Sequence, residues 1–265
     1  MKILNEQQIQ ANWNKLIQLI KDTFPEDYPD NRRENLLRMY HYFEDRMCMA
    51  PASGKEHYHN AMIGGYVEHV LHVVDFSLQL KEVWERNGAT IDFTEEELIF
   101  ATMHHDLGKV GDLEHDYYIL NESEWHRKNQ GKIFVHNPKL QYMTVTDRAL
   151  WLLQHFNISM NQTEYLGLRL TDGMYEDANK GYLVTYQPEF SLRSNISRIC
   201  HAADTMATFI ESDQWKRTEQ EQEKVVNTSV NNIKQAVGGK KEPVKENGLS
   251  KKHEDLFNEL FGDKS

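Results

Sequence analysis

Four side chains in this 265-residue sequence are of types that bind a divalent cation, and each sits where its apolar context turns it inward. His69 lies in GGYVEHVLHV, His105 and Asp106 in ATMHHDLGK, and Asp204 in CHAADTMAT. An imidazole or carboxylate buried in such a stretch is costly unless it is hydrogen-bonded, charge-paired or bound to metal. Three helices, each presenting one part of the set, make a mixed nitrogen and oxygen site, suited to Mn, Mg, Fe, Co, Ni or Zn and diagnostic of none of them. His104, next to the pair, points about 100° away on a helix and reads as a core residue. His72, one turn after His69, either lines the same pocket or is an ordinary satisfied helix histidine.

The elements that must position these groups are helical. Ile9, Trp13, Leu16, Ile17 and Ile20 recur at helical spacing before Pro25 and Pro29, and a second stripe runs from Asp30 through Leu36, Tyr40, Phe43 and Met47 to Pro51. A third runs from Gly64 to about Arg86, ended by Asn87-Gly88. Thr94 followed by Glu95, Glu96 and Glu97 predicts a capping box that opens the helix leading to His105. Further helices fit 144–156, 162–171 and 192–211, whereas 115–142 and 173–190 read as long functional or packing loops. IFVHN near 133 and YLVTY near 182 are the candidates for a small β-hairpin. The expected fold is therefore mainly α: residues 1–54 pack as N-terminal helices on a domain of 55–215, and 216–265 form a polar linker that ends in a short amphipathic helix. In that last segment Leu256, Phe257, Leu260 and Phe261 share one face, which suits docking on the chain's own domain, on a second copy in a homo-oligomer, or on another protein.

Charge narrows the choice of partner. Lys and Arg number 30 against 41 Asp and Glu, and residues 1–215 alone carry a net charge of -12. So acidic a surface repels a phosphate polymer, while a small phosphate compound is still accommodated if a metal supplies local positive charge. No apolar run approaches the ~18 residues of a membrane span, and the polar opening MKILNEQQIQ does not read as a signal peptide, so a cytoplasmic protein is expected. Cys48 and Cys200 lie in apolar helical patterns and read as buried thiols rather than a disulfide.

In order and context, the four ligand candidates resemble the HD-domain superfamily of metal-dependent phosphohydrolases, whose pattern is a His, an adjacent His-Asp pair and a distant Asp. His69 matches the first His, His105-Asp106 the pair and Asp204 the last Asp, at separations of 36 and 98 residues. The flanks YHNAMIGGYVEH and HHDLGKVGD strengthen the match, which spans about residues 55–215 and is similar, more loosely, to HD hydrolases of tailed bacteriophages. The resemblance implies hydrolysis of a phosphate ester or anhydride bond by water that the cation activates. Lys109 would then be a catalytic partner to phosphate, its alternative being a surface pair with Asp112 or Glu114. In DYYILNESEWHRKNQGK, His126 is a candidate proton donor or second-metal ligand, and Arg127 and Lys128 are candidate phosphate contacts. In TDGMYEDANKGY, the residues Asp172, Tyr175, Asn179 and Tyr182 suit base or sugar recognition. His136 and His155 are further second-metal candidates without a compelling spacing, so one well-defined metal is expected.

A nucleotide or similar small phosphate is the expected substrate. The alternatives are a 3′ exonuclease, which the acidic core disfavours, and a non-catalytic nucleotide- or protein-binding module on the same scaffold.

Overall fold

The computed structural model describes residues 4–237 except 57 and 186, with side chains described as far as Thr218 apart from that of Pro29. It is mainly helical, as the sequence predicts. The helices are α1 Glu6–Thr23, α2 Arg32–Tyr42, α3 Glu44–Met49, α4 Gly65–Arg86, α5 Glu95–His104, α6 Glu124–Gln130, α7 Val145–His155, α8 Gln162–Arg169, α9 Lys180–Leu183 and α10 Ile196–Val237. Contacts divide the chain into two units, residues 1–219 and 220–265. Of the second unit only the helical backbone to Val237 is described, so the amphipathic helix expected at the chain end and its docking role lie outside the described residues.

Helix starts follow local chemistry. Asn5, Thr94 and Asn161 each accept from the amide three residues on, and Gln8, Glu97 and Glu164 return the bond to the cap amide, closing three capping boxes. The helix expected over 30–51 is broken at Phe43, which packs fully buried near Tyr42 and Phe156 and lets α3 leave in a new direction.

Two short strands, β1 Tyr118–Leu120 and β2 Phe134–His136, pair antiparallel with Ile119 opposite Val135. The segment near 133 is thus one strand of the hairpin, but its partner is 118–120 rather than 182–186. Lys180–Leu183 winds instead into α9, because the turns over 173–179 leave that stretch no strand to pair with. The hairpin braces the segment before α4, since the Phe134 amide donates to the Gly54 carbonyl at 3.0 Å and the Glu56 amide to the Gly131 carbonyl at 2.7 Å.

One apolar core joins Trp13, Leu16, Ile20, Leu36, Met39, Tyr66, Val70, Leu98, Phe100, Leu152, Leu168 and Ile199. Against it Val73 of α4 meets Ala203 and Ala207 of α10, small residues that let the two helices approach closely. Cys200 is fully buried, Cys48 is half-buried, and both are free thiols. Among the described residues no helix is long and apolar enough to cross a membrane.

A buried ion pair pins α2 to α8. Arg32 donates from Nη1 to Glu164 Oε1 and from Nη2 to Glu164 Oε2 at 3.0 Å and to the Ser159 carbonyl at 2.9 Å, with its guanidinium 4.8 Å above the Phe100 ring centroid. Removing one partner strands a buried charge, so Glu164→Ala is expected to cost about 3–5 kcal/mol in denaturant unfolding, with Arg32→Met in the same chain recovering part of the loss. A loss below about 1 kcal/mol would show that the pair does not hold these helices.

Candidate metal centre

Each candidate ligand reaches the centre by a different local route. His69 sits in the second turn of α4, which begins at Gly65; a Cβ there would lie 2.1 Å from the Asn60 carbonyl oxygen, so only glycine lets the preceding segment fold back over the helix start. His105 and Asp106 follow the last turn of α5, where the chain tightens into a 3₁₀ turn over Leu107–Val110. That turn presses on α7 so closely that a Cβ on Gly108 would lie 2.0 Å from the Val145 carbonyl oxygen. Asp204 comes from α10, beside the Ala203 contact with Val73.

These routes converge. One ligand atom from each of His69, His105 and Asp106 lies within 4.8 Å of the others, and this buried group could hold a metal ion. The two Nε2 atoms are 3.4 Å apart; Asp106 Oδ2 stands 3.7 Å from His69 Nε2 and 3.5 Å from His105 Nε2, and Asp204 Oδ1 stands 3.3 and 3.7 Å from the same two atoms. Donors about 2.1 Å from one tetrahedral ion are separated by about 3.4 Å, so the spacing of the His69, His105 and Asp106 atoms suits a common cation.

The far sides of both rings fix their orientation. His105 Nδ1 lies 2.6 Å from the Thr102 carbonyl, which can only accept, so Nδ1 carries the proton and Nε2 offers its lone pair to the centre. His69 Nδ1 lies 3.0 Å from Glu211 Oε2, a carboxylate behind a metal-facing imidazole. The other Glu211 oxygen is 2.7 Å from His72 Nδ1, which places His72 behind the first histidine rather than in the centre.

Burial opposes charge on His69, but Glu211 and Asp204 outweigh it and lift the ring to about 10 when no metal competes. His105 is raised in the same way, burial being overcome by Asp106 and Asp204. Burial alone would raise the Asp106 carboxyl, yet Lys109 and His105 hold it well below the usual range. The same opposition leaves Asp204 at about 2 beside His69, and Glu211 at about 2 beside His69 and His72. Lys109 donates to Asp106 Oδ2 at 2.6 Å and to the Ala52 carbonyl at 2.8 Å, so it lies at the centre and not in a surface pair with Asp112 or Glu114.

No family model, curated protein or solved structure matches the chain.

The remaining sequence candidates are dispersed. Asp172 accepts from the Thr146 hydroxyl at 2.9 Å and lies within electrostatic reach of Asp106, Asp204 and His105; partial desolvation raises its pKa, the Thr146 bond opposes that rise, and the two carboxylates add to it. With Tyr175 it lines a cavity of about 520 Å³. Asn179 is fully buried, accepting from Arg169 at 2.6 Å and donating to the Gly173 carbonyl at 3.0 Å, so it serves the loop's own packing. Tyr182 is exposed on α9. On α6, His126 packs its ring edge-on against Trp125, Arg127 donates to the Asn121 carbonyl, and Lys128 pairs with Glu124 at 2.8 Å. His136 contacts Tyr117 and lines the same cavity as Asp172; His155 stacks beside Trp151 at the end of α7. His104 donates from Nδ1 to the Phe100 carbonyl at 2.7 Å and packs beneath Tyr40 in the core.

Sequence reasoning does not reach Glu211, His59 or Arg148. Glu211 follows Asp204 by seven residues, two helical turns on the same face, and that spacing is the signal that could have found it. His59 stacks 4.7 Å from the His69 ring; burial, with the His69 and Lys109 charges acting in the same direction, lowers it to about 3, leaving a neutral imidazole at the edge of the cluster.

Glu211→Gln is expected to weaken Mn or Zn binding about 10- to 100-fold by competition titration while the fold persists, and affinity unchanged by the substitution would remove its role behind His69. A proton held on His69 must also leave before Nε2 can ligate. Apparent metal affinity is therefore expected to climb as pH rises from 6 to 9, by about tenfold per unit for each proton displaced. An affinity flat over that range would rule out His69 as a ligand.

Proposed function

We propose that the protein is an HD-type metal-dependent phosphohydrolase that cleaves an ester or anhydride bond in a nucleotide or similar small phosphate compound. The observation that carries this reading is the meeting of His69, His105, Asp106 and Asp204, with the Lys109 ammonium in contact with the same carboxylate. His69, His105, Asp106 and Asp204 would hold the ion, for which the set of two imidazole nitrogens and two carboxylate oxygens suits a first-row divalent metal or Mg. Such an ion supplies activated water and offsets charge on phosphoryl oxygens.

The chain's own groups complete the chemistry. Lys109 keeps Asp106 ionised and presents a cation beside the ligand carboxylates, where a substrate oxygen would otherwise meet only negative charge. Glu211 and the Thr102 carbonyl keep the two imidazoles turned to the centre, and the surrounding burial limits solvent access. The acidic charge of residues 1–215 favours a small substrate over a polymer.

Nucleoside mono-, di-, tri- and cyclic phosphates incubated with Mn or Mg test the reading through their products. Wild-type protein is expected to release phosphate or open the diester on part of this panel, while Asp106→Ala falls to the rate without enzyme and loses metal binding. Turnover that survives in Asp106→Ala would overturn the proposed centre. A bound metal with no turnover on any member would overturn the nucleotide assignment.

A further inference from the structure

Beside the metal cluster lies the cavity of about 520 Å³, a volume in the range that takes a small organic ligand. Its walls come from the hairpin region through Tyr117, from the loop before α7 through Tyr142, from α7 through Arg148, and from the turn after α8 through Asp172 and Tyr175. Two features join it to the centre. Asp172 feels Asp106 and Asp204, and Val145, another wall residue, is the one pressed against Gly108 in the turn that carries Lys109.

Arg148 is the unusual wall. The residue is 1% exposed, its Nη2 donates to the Gln141 carbonyl at 2.6 Å, and its guanidinium lies 5.4 Å from the Tyr117 ring centroid. Nη1 is buried with no hydrogen-bond partner among the described residues, and no carboxylate there lies within ion-pair distance of the guanidinium. A buried donor left unmade is destabilising, and because Arg148 lines the cavity, a ligand acceptor that draws Nη1 toward it would supply the missing bond. An anionic group is a poor fit, because the Asp172 and Glu176 side chains share the cavity. A neutral carbonyl oxygen suits better. The aromatic character of the ligand follows from the mouth, where Tyr142 and Tyr175 line the cavity while 84% and 85% exposed, leaving ring faces free to stack.

We infer that this cavity is a nucleobase pocket that selects rings bearing an oxo group, with Arg148 as the specificity-determining residue. The inference rests on the phosphohydrolase reading and extends it to the substrate's base. The phosphate belongs at the Lys109 side and the base against Arg148, whose N–H meets a ring carbonyl; an exocyclic amino group at that position would set donor against donor.

Inosine and adenosine differ at that exocyclic group, so their binding to the full chain, followed by NMR titration without metal, isolates the pocket from the chemistry. Inosine is expected to bind about tenfold more tightly or better, and Arg148→Gln to erase the difference. Should Arg148→Gln fail to fold, Tyr175→Ala at an exposed position provides the second arm: both nucleosides are expected to weaken about tenfold with their ratio kept. Equal binding of the two by wild type, no binding of either, or indifference to Tyr175→Ala would each overturn the base pocket even if nucleotides are hydrolysed. Preference for inosine with no inosine or adenosine mono-, di-, tri- or cyclic phosphate hydrolysed in the presence of Mn or Mg would keep the pocket and refute the phosphohydrolase reading instead.

Discussion

Two imidazole nitrogens and two carboxylate oxygens drawn together inside a protein form an arrangement that is stable only with positive charge among them. The Nε2 atoms of His69 and His105 face each other at 3.4 Å, Asp106 Oδ2 stands 3.7 and 3.5 Å from them, and Asp204 Oδ1 stands 3.3 and 3.7 Å from the same two nitrogens. Positive charge on the rings meets the requirement, and a divalent cation held by His69, His105 and Asp106 would meet it as well. Much of the surrounding structure reads as a means of enforcing this convergence. Alanines at 203 and 207 let α10 approach Val73 of α4, Gly108 lets the Lys109 turn seat on α7, and Glu211 locks the first imidazole from behind.

The charge distribution around the centre is mixed in sign. Lys109 stands at Asp106, and Asp172 is held by Thr146. Arg148 contacts a carbonyl and an aromatic ring, and it shares its cavity with Asp172 and Glu176. A substrate reaching from Lys109 to Arg148 would meet charges of both signs, with Asp172 and Glu176 beside Arg148. That mixture matches a molecule with a charged end and a neutral polar body, and it differs from the continuous basic groove that a nucleic-acid strand requires.

How much of this was legible in the sequence depended on whether the signal was local. Helix starts marked by Asn5, Thr94 and Asn161 rest on side chains three residues apart, and the apolar stripes of α1, α4 and α7 are periodic within one element. The inward-facing His69, His105, Asp106 and Asp204 were readable for the same reason: a polar group in an apolar helix has few inexpensive explanations. The strand partner of Phe134–His136 was not, because Tyr118–Leu120 is three residues long and pairing is decided between segments. Glu211 and Arg148 were missed although each has a local trace. Glu211 repeats the face of Asp204, and Arg148 shares a helical stripe with Leu152, yet a charged residue at such a position more often points to solvent, and only the fold shows that these do not.

The contribution of α10 to the centre also sets an order of events during synthesis. His69 and its supporting Glu211 are 142 residues apart, and the contact between them closes about two thirds of the first unit. On a ribosome, the N-terminal helices and the His105 turn are complete long before the groups that finish the site have been translated. A growing chain therefore carries two imidazoles and one carboxylate without their remaining partners, a weak and open trap for metal. Were a cation to use Asp204 and the Glu211 brace, its tightest capture would wait until α10 docks and so coincide with completion of the fold.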